Sequence, residues 1–179
     1  AGGINGVPLK VAIANDDNRP EAAKAIAKEL VKNPEILGVV GHGISDTTLA
    51  AGAVYQSGEL VAIAPVSSAI QLSGMGRYVF RTMPSDRYTA RALSTYLLTQ
   101  LKHQKAVVFY NSNSVYSQSL KNEFKDALFY LGGGQVVQEF DLSRPDFKAR
   151  ESVEKAIKKG AEALVLLPSN EVSDRALQV

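Results

Sequence analysis

Short apolar runs alternate along the chain with segments whose apolar residues recur at helical spacing. In the first half, the apolar runs predict four strands, at 7–14, 36–40, 60–64 and 77–82. A helix opens at Pro20 and covers 21–32, with one apolar stripe made of Ala23, Ile26, Ala27, Leu30 and Val31. Asn33-Pro34 ends it, because the residue before a proline avoids helical geometry. A second helix is expected from about Ser45 to Ser57, ending at Gly58.

The second half repeats this alternation. Three further apolar runs predict strands at 105–110, 135–140 and 163–167. The segments around them have helical spacing and predict helices at about 86–102, 115–131 and 146–159, with a short one beginning near Glu171. The triple glycine at 132–134 and Gly160 mark helix ends.

Regular strand–helix alternation favours an α/β fold with parallel sheets. Two half-domains are predicted, at 1–83 and 84–179, with a hinge at Met83-Pro84-Ser85, because proline interrupts regular pairing there. Ligands of such sheets bind beyond the carboxyl ends of the strands. The loops to search are therefore those at 15–18, 41–48, 65–69, 111–116 and 168–171.

The composition narrows the class of protein. Apolar residues make up 45% of the 179 residues, charged residues 21%, and the net charge is +2 without a basic stripe, so we expect no nucleic-acid partner. No apolar run approaches the roughly 18 residues of a membrane span, and no signal-peptide pattern is seen. The absence of cysteine excludes disulfides and thiol chemistry.

Two serine-bearing loops carry the strongest ligand signal. In the loop at 41–48, two glycines permit a tight turn and Ser45 lies at or near a helix N-terminus, which suits a carboxylate. In the loop at 65–69, Pro65 bends the chain, and the backbone at Val66 and the hydroxyl of Ser68 can face a cleft. Taken singly, each loop is better explained as a plain helix cap.

Two further residues are candidates with an open alternative. Asp86 can pair with a ligand ammonium at the hinge, or cap the helix that it begins. Tyr116 can cover a ligand and face a cation, or serve as half-buried packing.

Enzymatic and metal-binding patterns are weak. His42, Ser45 and Asp46 are triad residue types, but they are too close in sequence for nucleophile–base–orienter geometry. No nucleophile elbow, dinucleotide fingerprint or P-loop is present, and the two histidines lack metal-ligand spacing. Asp16-Asp17 is read as a polar turn rather than a cation site. We expect a non-enzyme without cofactor or metal.

Several segments in order resemble the type I periplasmic binding proteins, specifically the branched-chain amino-acid-binding group of ABC importers, and the related ligand-binding domains of class C receptors. The segments that carry the resemblance are 2–17, 39–51, 61–72, 78–86 and 107–120. The resemblance implies two Rossmann-like parallel-sheet lobes. It also implies that Ser45 binds the ligand's α-carboxylate, Ser68 and the Val66 backbone bind the α-amino-acid group, Asp86 faces the ammonium, and Tyr116 covers the ligand.

The chain also departs from that family. The family has a strand and helix before the segment at 2–17, and often an aromatic contact where this sequence has Ser169 and Asn170. Both lobes are therefore expected to be incomplete, and exposed sheet edges predict a homodimer.

The resemblance implies a periplasmic or extracellular solute-binding protein that captures a small ligand, an amino acid or close analogue, for an ABC permease. The alternative is the sensor domain of a larger signalling receptor, with the same site and a signalling partner.

Overall fold

Two parallel sheets of three strands each form the framework of the structure, a computed structural model that describes residues 3–179. The strands are β1 (Val39–Val40), β2 (Ala62–Ala64), β3 (Val79–Arg81), β4 (Lys105–Tyr110), β5 (Gln135–Asp141) and β6 (Ala163–Leu167). The α-helices are α1 (Pro20–Lys32), α2 (Ser45–Ser57), α3 (Asp86–Thr99), α4 (Val115–Gly132), α5 (Ala149–Lys158) and α6 (Ser173–Ala176). Short 3-10 turns lie at Ile70–Leu72 and Asn170–Val172.

The first sheet has the order β1-β2-β3, and α1 and α2 pack on one of its faces. Ala62 pairs with Val79 across this sheet, and both are buried against the alanine stripe of α1, of which Ala23 and Ala27 are fully buried. The predicted helical stripe of α1 is thus a core face. Proline is its first residue, as predicted.

The opposite face of the first sheet is apolar and exposed. Val40, Ile63 and Phe80 are in register on neighbouring strands and point away from the buried residues, since side chains alternate between faces along a strand. An uncovered row of this kind is unusual on a soluble protein and marks a surface that favours contact with another apolar surface.

The second sheet has the order β5-β4-β6, with β4 in the centre. Its central residues are fully buried on both faces: Ala106 and Val108 pack against α3 and α4, and Val107 and Phe109 pack towards α5 and α6. Because β4 is covered on both faces, its sequence is a continuous apolar run rather than an alternating one. The helix α4 ends at Gly132. Gly133, with a φ of 66°, caps it, and the N–H of Gly133 donates to the carbonyls of Leu128 and Phe129.

The predicted strand at 7–14 is wrong. These residues form no strand, and the nearest pairing is an isolated bridge between Ile4 and Val7. Val11 and Ile13 are 88% and 94% exposed, so their alternation buries nothing. A strand requires a hydrogen-bonding neighbour, and within residues 3–179 no other segment lies beside this run as a partner.

The other elements are present with shifted ends. The strands of the first sheet are two or three residues long and shorter than their apolar runs, because a strand contains only the residues that pair with a neighbouring strand. The helix predicted to reach Lys102 ends at Thr99, and the one predicted at 146–159 is α5 at Ala149–Lys158. The α/β fold with parallel sheets is confirmed.

The two sheets come from residues 39–81 and 105–167. The division at 83/84 with a hinge stays a prediction, and residues 1–2 of the predicted first half lie outside the described residues. Within the described part of the chain, no helix is long and apolar enough to cross a membrane.

Candidate functional site

A cavity of about 810 Å³ opens where the carboxyl ends of the strands of both sheets meet. Its walls come from the loops that follow all six strands, together with Asn18 and Pro20 at the start of α1. This is the position that parallel sheets reserve for ligands. All five predicted site residues line this one cavity: Ser45, Val66, Ser68, Asp86 and Tyr116.

Ser45 does not cap α2. The N-cap residue is Ile44, no side chain caps the helix there, and Ser45 is the first helical residue. Its side chain is almost fully buried, and its Oγ accepts a hydrogen bond from the backbone N–H of Ala69, at 3.3 Å. Since the oxygen is held as an acceptor, its own O–H remains to donate to a ligand.

The two serine loops are joined to each other. Besides the Ser45–Ala69 contact, the hydroxyls of Thr48 and Ser67 lie 2.7 Å apart in the buried space between α2 and the loop at 65–69. The backbone N–H groups of Val66 and Ser68 find no hydrogen-bond partner among the described residues. The two loops therefore form one rigid edge that presents N–H and O–H donors, which suits an anion.

Asp86 is the unusual residue of the cavity. Its side chain is 1% exposed, and neither carboxylate oxygen has a hydrogen-bond partner among the described residues. It does not cap α3: the N-cap residue is Ser85, and no side chain caps that helix. The backbone N–H of Asp86 donates to the carbonyl of Ser68, at 2.9 Å, which fixes the carboxylate beside the serine edge.

Burial raises the pKa of Asp86. The hydroxyls of Ser119 and Ser68 lie near the carboxylate, although outside hydrogen-bond geometry, and together with the guanidinium of Arg81 they act to lower the pKa, but they do not outweigh the loss of water. A buried carboxylate without partners is costly unless a cation joins it. The cavity therefore holds a buried carboxylate that forms no salt bridge with any of the described residues.

Tyr116 lies on the first turn of α4 and is half-buried against the core of the second sheet. Burial, and then the charge of Asp86, raise the pKa of Tyr116. The two side chains are thus within electrostatic reach of each other. Tyr116 therefore packs against this core and also lines the cavity.

The wall from the second sheet is held by a carboxylate that sequence reasoning did not single out. Asp141, at the end of β5, accepts hydrogen bonds from the backbone N–H and hydroxyl of both Ser112 and Ser143. Burial alone would raise the pKa of Asp141, but these hydrogen bonds outweigh it and lower the pKa. Asp141 fixes the loops after β4 and β5.

His42 belongs to a buried network. Its Nδ1 lies 2.6 Å from a carboxylate oxygen of Asp16, and its Nε2 lies 3.0 Å from the hydroxyl of Tyr55. Burial, and then the charge of Asp16, raise the pKa of Tyr55 to about 12. The network ties the turn at 15–18, which brings Asn18 to the cavity, to the loop after β1. The segment at 15–18 is a polar turn, as predicted, in which Asp16 accepts a hydrogen bond from the N–H of Asn18 and also contacts His42.

The cavity residues that were not predicted as site residues include Asn18, Asp46 and Arg175. Asn18 lies in one of the loops that follow predicted strands, where ligands are expected to bind, but an asparagine in such a loop does not by itself indicate a ligand contact. Asp46 and Arg175 act through contacts with residues 69 and 33 positions away, which local patterns do not reveal. No group of three or more metal-ligating side chains occurs in residues 3–179.

The sheet topology and the cavity define a two-sheet α/β binding protein, and residues 1–172 match the family described as periplasmic binding protein. The chain belongs to this family. The resemblance noted from the sequence is confirmed.

Within this family, the chain is similar to proteins that are named for binding amino acids. The chain is 32% identical over 165 residues to an amino acid binding protein of Pseudomonas aeruginosa, covering 92% of this chain and 44% of that protein. It is 28% identical over 128 residues to the Leu/Ile/Val-binding protein of Escherichia coli, covering 71% of this chain and 34% of that protein. These relatives are named as binding proteins and not as enzymes, which confirms the prediction of a non-enzyme.

Solved structures of similar fold are also binding proteins of this family's kind by name. An ABC transporter substrate-binding protein of Desulfitobacterium hafniense, in complex with Leu, superposes with a TM-score of 0.81 at 28% identity, covering 98% of this chain and 52% of that one. A periplasmic binding protein of Burkholderia mallei gives 0.84 at 21% identity, which supports the fold. The chain spans about half the length, or less, of the proteins that it matches.

Proposed function

We propose that this chain forms the amino-acid-binding site of an extracytoplasmic solute-binding protein of an ABC importer. The single observation that carries the proposal is Asp86. It is a buried carboxylate that lines the cavity with both oxygens unpartnered within the described residues. A ligand ammonium supplies the missing charge and hydrogen bonds, and it recovers the free energy that burial of the carboxylate costs.

The opposite end of an α-amino acid fits the serine edge. Ser45 has a hydrogen left to donate, and the N–H groups of Val66 and Ser68 are available donors. Asp86 is anchored to the carbonyl of Ser68, so donors for a carboxylate and an acceptor for an ammonium lie on adjoining backbone. This pairing of opposite groups favours an α-amino acid over a simple acid or a simple amine.

Tyr116 covers the ligand from the side of α4 in this proposal. Its ring reaches the cavity beside Asp86, where it excludes water from the ammonium pair and strengthens that interaction. Capture then proceeds by closure of two lobes around the solute and not by chemistry. An ABC permease is the partner that receives the ligand, and the periplasm is the compartment.

Two further predictions stay predictions. A sensor domain of a signalling receptor would use the same site, and no feature of the described residues favours it. The other is a homodimer through exposed sheet edges, and the exposed apolar row of Val40, Ile63 and Phe80 offers a second surface for association between copies.

Calorimetric titration of the purified protein with the twenty amino acids tests the proposal. We expect at least one amino acid to bind, and Asp86→Asn to weaken that binding by about 2 kcal/mol or more, since the ammonium loses a charged partner. Asp126→Asn is the matched control, because Asp126 is exposed on α4 and does not line the cavity. Binding that survives Asp86→Asn unchanged, or no amino-acid binding at all, contradicts the proposal.

A further inference from the structure

The cavity carries a fixed cation on the wall opposite the serine edge. Arg175 lies on α6, after the last strand, and lines the cavity. Its Nη1 donates to the carbonyl oxygens of Leu142 and Arg144, both at 2.7 Å. Because two backbone carbonyls hold the same nitrogen, the half-buried guanidinium has a defined position.

Within residues 3–179, no carboxylate forms a salt bridge with this guanidinium. Among the described residues, none lies within 4 Å of Arg175, and its hydrogen-bond acceptors are neutral carbonyls. Only Nη1 is engaged by those carbonyls, so Nε and Nη2 keep their hydrogens for another acceptor. The nearby acid, Glu171, is exposed and accepts a hydrogen bond from the hydroxyl of Ser169 instead.

The fixed charge discriminates between ligand side chains. If the cavity closes over an aliphatic side chain, Arg175 loses water and gains no partner, which disfavours binding. A carboxylate in the same place can accept both remaining donors in the fork geometry that guanidinium prefers. The loops of the second sheet also bring Asn113, Ser143 and Asn170 to the cavity, together with Glu171 and the apolar Pro168 and Val172.

We infer that the ligand is an acidic amino acid whose side-chain carboxylate pairs with Arg175. This rests on the proposed function, because Asp86 and the serine edge must hold the α-amino-acid group at the other end. The cavity then presents an acceptor for the ammonium at Asp86 and a cation for the distal carboxylate at Arg175. A ligand with charges at both ends binds in only one orientation.

Titrations with L-glutamate, L-glutamine and L-leucine test the inference. The purified protein is expected to bind L-glutamate at least about tenfold more tightly than either neutral amino acid, the usual effect of one charged hydrogen bond. Arg175→Gln is expected to remove most of the preference for glutamate over glutamine. Arg175→Lys keeps the charge but not the fork, and is expected to retain an intermediate preference.

The readout is the ratio of the two affinities, because loss of the carbonyl contacts of Arg175 would weaken both ligands alike. Arg150→Gln is the matched control, since Arg150 is exposed on α5, pairs with Glu154 and does not line the cavity. Binding of leucine as tight as glutamate, or an equal loss of glutamate and glutamine in Arg175→Gln, overturns the inference alone. If none of the three binds and no other amino acid does, the proposed function fails as well.

Discussion

The carboxylate of Asp46 accepts a hydrogen bond from the backbone N–H of Val115, with 3.0 Å between the two atoms. Asp46 lies on the first turn of α2, and Val115 is the first residue of α4. The contact therefore joins helices that pack on different sheets, at the rim of the cavity. A second contact also connects the segment before α3 to α4. The N–H of Ile70 donates to the hydroxyl of Ser119, at 2.9 Å.

Asp46→Ala is expected to weaken ligand binding by about 1–2 kcal/mol, because the N–H of Val115 loses its acceptor and the two walls lose a tie. Asp46→Asn keeps an acceptor oxygen and is expected to lose less. Calorimetry with the best-binding amino acid measures both. Equal losses in the two variants would show that the charge of Asp46, and not its contact with Val115, is what matters.

Ser45→Ala is expected to weaken binding by about 1–3 kcal/mol, the cost of a lost hydrogen bond to a charged group. The methyl group also leaves the N–H of Ala69 without its acceptor. Ser57→Ala is the control, because Ser57 is exposed at the other end of α2 and bonds only to its own helix. An unchanged affinity in Ser45→Ala would remove Ser45 from the carboxylate site.

The raised pKa of Asp86 predicts a pH-dependent stability difference between the unliganded protein and Asp86→Asn. The unfolded chain releases the proton of this carboxyl near pH 4, whereas the folded protein keeps it to a higher pH. Raising the pH from about 4 through the folded pKa therefore destabilises the native protein relative to the variant. Below this range the two differ least.

Urea unfolding at several pH values measures this difference. We expect the stability of Asp86→Asn relative to the native protein to increase with pH across the range. A difference that is constant with pH would mean that burial does not disfavour the charge of Asp86. A variant that is more stable yet binds no ligand would identify Asp86 as a residue kept for function.

The apolar row on the first sheet predicts association between copies. Phe80 is about half exposed on an edge strand and in register with Ile63. Phe80→Lys is expected to lower the apparent mass in light scattering at high concentration, because a charge on this face opposes apolar contact. Phe129→Lys, an exposed phenylalanine on α4, is the control. A native protein that stays monomeric throughout contradicts the dimer prediction.

The sequence predicts the helices well because their apolar residues recur at a helical period. The stripe of α1 and the run of β4 are recovered almost residue for residue, since both face a core that the chain itself provides. The run at 7–14 has the same local pattern but no neighbour to pair with, and local patterns carry no information about neighbours.

For the site, the expectation that ligands bind beyond the carboxyl ends of the strands locates the loops. It does not show which side chains cap helices or which ones lack hydrogen-bond partners. Whether Ser45 and Asp86 cap their helices depends on the dihedral angles of the residues before them, and in both helices the preceding residue takes the N-cap position. The isolation of Asp86 is likewise invisible in the sequence, because it depends on which residues bury the carboxylate and which fail to reach it.

The pairing of Asp86 with a ligand ammonium is tested most directly by comparing an amino acid with its analogue that lacks the amino group. Glutarate serves for L-glutamate, and 4-methylpentanoate for L-leucine. Each pair is titrated into the native protein and into Asp86→Asn. We predict that the native protein binds the amino acid at least about tenfold more tightly than its analogue, and that this preference largely disappears in Asp86→Asn. An equal preference in both proteins would contradict the assignment of Asp86 as the partner of the ammonium.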